Sequence, residues 1–175
     1  AIFARLLAEK NGDTISTAAN TKFADIPAHA WYSGYVKYLS NNGITYGKSK
    51  TIFAPNDAIT RAEFTTMAVR FFDVYGDGDA EIMEQFSGFN DVSSGYWAAE
   101  YIKYAALHGW INGYGDGSFH ADREINRAEV VTIVNRLLGR EADEDYIADN
   151  LRKLNTFPDV SRKHWAYYAV MEAAN

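Results

Sequence analysis

Apolar residues recur with a helical period in short stretches, separated by polar segments rich in glycine. In "YWAAEYIKYAALHGW", Trp97, Tyr101, Ile102, Ala105 and Ala106 fall at i, i+4, i+5, i+8 and i+9. That spacing predicts one face of a helix, which Gly109 is placed to stop, as Gly43 stops its counterpart. A second kind of helix opens at "TRAEF" and "NRAEV". Thr60 with Glu63, and Asn126 with Glu129, have the spacing of a capping box. Ile59 and Phe64, like Ile125 and Val130, have the spacing of a hydrophobic staple. The segments "TYGKSKTIF" and "INGYGDGSF" join the two kinds of helix, and Asp116-Gly117 predicts a tight turn at positive φ.

These elements repeat. Phe23, Asp25, Trp31, Tyr35, Gly43, Gly47, Phe53, Arg61, Glu63 and Arg70 each recur 66 positions later without a gap. A third start follows at Phe157, with Asp159 and Trp165 in the matching places, and stops at Asn175. Arg5 in "IFARLLAEK" matches Arg70 and Arg136, so residues 1–22 read as the back helix of a truncated repeat plus a linker. Whole repeats span 23–75 and 89–140, linkers 76–88 and 141–156, and the front half of a further repeat 157–175. Residues 141–154 have the makings of a short surface helix; the other linkers read as loops. A unit of this size cannot bury its apolar face alone and must stack on its neighbours, which predicts one mainly α domain.

Composition narrows the function. The net charge of −6 and the lack of a basic patch argue against nucleic acid as a partner. No apolar run approaches 18 residues, so no membrane insertion is expected. Without cysteine there is neither a disulfide nor a thiolate metal site. The four histidines are scattered and Asp73, Asp77, Asp79 and Glu81 do not fit a calcium loop, so no metal or cofactor is expected. No catalytic motif stands out, and the chain does not read as an enzyme. Aromatic residues make up 15% of the chain, enough to supply a ligand surface as well as a core. The abrupt start within a helical pattern suggests a fragment of a longer protein.

Two residue types lack a complete local explanation. Arg61 and Arg127 sit at the first turn of a helix, where the dipole disfavours a cation by a few tenths to about 1 kcal/mol. Either they pair with an acidic residue or with carbonyls of the next unit, or they mark a site for an anionic ligand. Asp25, Asp91 and Asp159 each follow a Phe by two positions and either set a turn or accept from a sugar hydroxyl.

The stretch "FNDVSSGYWAAEYIKYAALHGWINGYGDGSFHADREINRAEVVTIVNRLL" resembles an S-layer homology repeat, as do "FADIPAHAWY", "ITRAEF" and "FPDVSRKHWA". The resemblance implies a pseudo-threefold assembly of helix-loop-helix repeats, a three-pronged spindle around a central three-helix bundle. It implies non-catalytic anchoring to the cell wall of a bacterium, outside the cell, through an anionic and often pyruvylated secondary cell-wall polysaccharide. Grooves between repeats would hold the polymer. Carried onto this chain, the ligand-binding residues are Arg61 and Arg127, Trp31, Trp97 and Trp165, and Asp25, Asp91 and Asp159, with Gly47 and Gly113 as weaker candidates. At most two well-formed sites are expected, centred on Arg61 and Arg127. The alternative is a protein-protein assembly module whose partners are other surface-layer proteins.

Overall fold

The computed structural model describes residues 1–76 and 86–175. Among them the chain forms α1 (Ile2–Asn11), α2 (Ser33–Asn41), α3 (Arg61–Tyr75), α4 (Ala99–Leu107), α5 (Arg127–Leu137), α6 (Glu144–Asn150) and α7 (Tyr167–Ala174). No strand is formed among the described residues, so the protein is mainly α, as its periodicity predicts; an isolated bridge joins Thr60 to Glu124. Most of the linker expected over 76–88, with Asp77, Asp79 and Glu81, lies outside the described residues.

The chain divides into two compact units, Ala1–Ala58 with Thr66–Glu81, and Ile59–Thr65 with Ile82–Asn175. In the first, α1 packs on α2, and Phe3 stacks on Phe71 with ring centroids 4.6 Å apart. Burial of each such ring contributes about 1.5–3 kcal/mol. In the second, Phe89 stacks on the fully buried Phe119 at 5.1 Å, and α5 and α6 pack on α7.

Helix ends follow the predicted chemistry. Gly109 adopts φ 69°, its N–H bonds Ala106 O at 3.0 Å, and the Trp110 N–H bonds Ala105 O at 2.9 Å. This paired closure satisfies carbonyls that the helix leaves open, and Gly43 does the same after α2. Both capping boxes form. The Glu63 N–H donates to Thr60 Oγ1 at 3.2 Å while Glu63 Oε2 accepts from the Thr60 N–H at 3.0 Å. Asn126 and Glu129 exchange the same two bonds at 3.0 Å each.

Two expectations need correction. Trp97 is not on the buried face of α4: it precedes the helix and is 56% exposed, and the buried stripe begins at Ala98 and runs through Ile102 and Ala105. The helix in the 141–156 linker is more than a surface feature. Its Ile147 is buried with Tyr167 and Met171, which fixes α6 against α7.

The loops are pinned by the front-segment aspartates. Asp25 accepts from the Phe53 N–H at 2.9 Å and the Ala54 N–H at 2.6 Å. Asp91 accepts from the Phe119 and His120 N–H groups, both at 2.7 Å. Among the described residues, Ala54 and His120 are the non-glycine ones at positive φ, 61° and 54°. That geometry costs an L-residue roughly 1–2 kcal/mol, and the charged hydrogen bond that its amide donates to the aspartate offsets it.

Candidate functional site

The site is built around Arg61, the first residue of α3. The amides there are already occupied: the Arg61 N–H donates to Arg123 O and the Ala62 N–H to Ala121 O, each at 2.9 Å. With Glu63 N–H held by Thr60, the helix end keeps no open amide at these three positions for a ligand. Any anion recognition here rests on side chains, not on the helix dipole.

The Arg61 guanidinium turns inward, and the residue is 5% exposed. Nε donates to Phe119 O at 2.8 Å, Nη1 to Glu129 Oε1 at 2.8 Å and Nη2 to Asn112 O at 3.2 Å. Its carbon Cζ lies 4.4 Å from the Phe119 ring centroid and 5.2 Å from that of Tyr114. Glu129 in turn receives Arg123 Nη2 and the Tyr114 hydroxyl. One carboxylate therefore serves two arginines while its other oxygen closes the α5 capping box. Three of the five guanidinium donors of Arg61 are used, and two remain.

Arg61, Tyr114, Arg123 and Glu129 line a groove of about 530 Å³ that also takes in Gly113, Asn126, Arg136 and Trp165. Its charged lining is Arg61, Arg123 and Arg136 against Glu129 alone, a local positive excess in a chain of net charge −6. Trp165 is 65% exposed, a size and amphipathic character suited to stacking on a sugar ring. Gly113 lets the groove wall close: a Cβ there would lie 2.6 Å from Ser118 O and collide with the Phe89 ring. Gly47 has the same relation to Ile52 O, at 2.6 Å, and to Phe23.

A second cavity, of about 500 Å³, is lined by Asp91, Tyr96, His120, Ala121, Asp122 and Arg123. Burial, and then the bond of its hydroxyl to Asp122 Oδ1 at 2.6 Å, push the Tyr96 phenol up to about 12. Burial also pushes the Asp91 carboxyl up, but the Phe119 and His120 amides outweigh it and hold it below the usual carboxylate range. The Phe53 amide leads in holding Asp25 low. Among the described residues no group of three or more His, Cys, Asp or Glu is placed to hold a metal, and no helix is long and apolar enough to cross a membrane.

The structure thus brings Arg61, Gly113, Asn126, Glu129 and Trp165 to one groove. Asp91 lines the second cavity. Trp31, Asp25 and Gly47 belong to the other unit. Arg127, Asp159 and Trp97 are exposed and line neither cavity. Arg123, Tyr114 and Arg136 enter the groove without having been picked out from the sequence. Arg136 had a signal, its recurrence with Arg5 and Arg70, whereas Arg123 has no counterpart 66 positions earlier, where Asp57 stands.

A profile of the S-layer homology domain matches residues 22–65 and 88–131. The chain is 32% identical to cell surface glycoprotein 1 of Acetivibrio thermocellus over 99% of its own length and 7% of that protein's. It is 30% identical to the cellulosome-anchoring protein of the same organism, over 98% of this chain and 36% of the relative. The S-layer protein of Bacillus thuringiensis subsp. finitimus is 32% identical over 67% of this chain and 14% of the relative. The chain belongs to the S-layer homology family. It spans well under half the length of each of these relatives.

Proposed function

We propose that the chain is a non-catalytic anchoring module at a bacterial cell surface, and that its groove binds an anionic secondary cell-wall polysaccharide. The observation that carries this reading is the groove's three arginines set against one glutamate, beside an exposed tryptophan. A carboxylate-bearing sugar, such as a pyruvylated terminal residue, offers both the charge for the guanidinium groups and an apolar ring face for Trp165. Arg61, held by Glu129 and two carbonyls, shapes the wall and adds background positive potential. Gly113 lets the groove wall pack closely on Ser118 and Phe89. Asp25 and Asp91 act by shaping the loops that carry the site. Arg127, exposed and with a side chain that makes no hydrogen bond or ion pair among the described residues, is the centre of a second site.

Co-sedimentation with wall sacculi tests the reading. The chain is expected to sediment with native sacculi and to stay in solution with sacculi stripped of the polymer or of its pyruvyl groups. Equal binding to both would sink it.

A further inference from the structure

The pairs α1/α2 and α5/α7 are each the back helix of one copy and the front helix of the next, and within each unit the two helices pack together. In the first pair Arg5 is engaged. Its Nε and Nη2 donate to the Tyr35 hydroxyl at 3.2 and 3.1 Å, and Cζ lies 5.4 Å from the tyrosine ring centroid. Trp31 packs edge-on against the same ring at 6.3 Å.

The second pair keeps the frame and loses the clamp. Arg136 matches Arg5, Trp165 matches Trp31, and the position of Tyr35 is taken by Ala169. Buried Asn135 donates to Ala169 O at 2.9 Å, so α7 is tied to α5 at this very residue. Alanine offers neither a hydroxyl nor a ring. The Arg136 carbonyl accepts from the Gly139 N–H at 3.1 Å, but its exposed guanidinium makes no hydrogen bond or ion pair among the described residues. It lines the groove with Trp165, and the groove's only carboxylate, Glu129, is already shared by Arg61 and Arg123.

We infer that Arg136, released by alanine at position 169, is the groove's direct carboxylate contact, and that residue 169 sets whether this groove accepts an anion. Arg61 and Arg123 are largely neutralised through Glu129 and supply shape and background potential. Arg136 holds a full complement of donors and no counter-ion of its own, so an anion that reaches it displaces only water. The sugar identity rests on the glycan-binding reading above; the capture of a carboxylate does not.

Two titrations on the intact chain separate these. The first follows the Arg136 Nε–Hε resonance by NMR as pyruvate is added. It is expected to shift saturably in the wild type and to stay fixed in Ala169→Tyr, where the new phenol holds Arg136 as Tyr35 holds Arg5. The second measures binding of a soluble, pyruvylated wall-polymer fragment by calorimetry. Arg136→Gln and Ala169→Tyr are each expected to weaken it about tenfold, with thermal midpoints unchanged and partial recovery in Arg136→Lys. A silent Arg136 resonance in the wild type, or variants that bind the fragment as well as wild type, would overturn the inference. A resonance that responds to pyruvate in a protein that ignores the polymer would uphold the anion site and remove the glycan reading instead.

Discussion

Arg61 and Glu129 hold the same two places in successive copies of one motif as Arg127 and Glu63, and they are joined at 2.8 Å with side chains only 7% and 11% exposed. The arginine of one repeat is thus neutralised by the capping glutamate of the next. A cation at a helix start, unfavourable in isolation, becomes a bolt between repeats. The same glutamate closes the α5 cap, so one carboxylate holds both Arg61 and the start of the second back helix.

This sharing predicts an asymmetry. Glu129→Ala strands two arginines and opens the α5 cap, whereas Arg61→Ala leaves Glu129 with Arg123. Breaking a buried pair from one side costs about 3–5 kcal/mol, and loss of a cap interaction adds about 1 kcal/mol. Urea denaturation should place Glu129→Ala below Arg61→Ala in stability. Equal midpoints for the two would show that Glu129 has no second role. Because Arg61→Ala acts on the fold, its effect on polymer binding does not report ligand contact alone.

Glycines near the groove should separate sharply. Gly113→Ala pushes a methyl group towards Ser118 O and the Phe89 ring, and overpacking of this kind costs about 1–3 kcal/mol. Gly115, two residues on, has open space around its Cβ and no positive φ. Gly115→Ala should be neutral to within about 0.5 kcal/mol. Thermal unfolding of the two variants checks this, and similar losses would contradict the close-packed wall.

Acid should loosen the loops first. Asp25 and Asp91 have depressed folded-state values, so the unfolded chain binds more protons than the folded one at moderately acid pH. Their contribution is complete above the ordinary aspartate value of about 3.9 and is lost as pH falls through the lower folded values. Melting temperature should therefore drop with pH in that window, and the slope should flatten in Asp25→Asn/Asp91→Asn. An unchanged slope in the double variant would place the acid sensitivity elsewhere.

Much of this arrangement was legible in the chain. Glycine at 43 and 109 and the box residues 60, 63, 126 and 129 act locally, within one helix turn, and local chemistry is what a sequence displays. The partner of Arg61 was not legible, because Glu129 lies 68 residues away and already had a sufficient role as a cap. The tryptophans misled in a different way. Trp97 has helical spacing with Tyr101, yet the chain is still in a turn there, so its ring faces solvent. Arg136 was visible only as a repeated residue. Its significance lies in what stands opposite, Ala169 instead of tyrosine, which becomes meaningful once α5 is seen to pack on α7.

We propose the groove holding Arg61, Arg136 and Trp165 as the seat of the wall polymer's acidic sugar. The most direct test is a crystal structure of this chain with a soluble, pyruvylated polymer-end sugar. The carboxylate is expected within hydrogen-bonding distance of Arg136 and the sugar ring against Trp165. A sugar seated away from these residues, with the groove open, would contradict it.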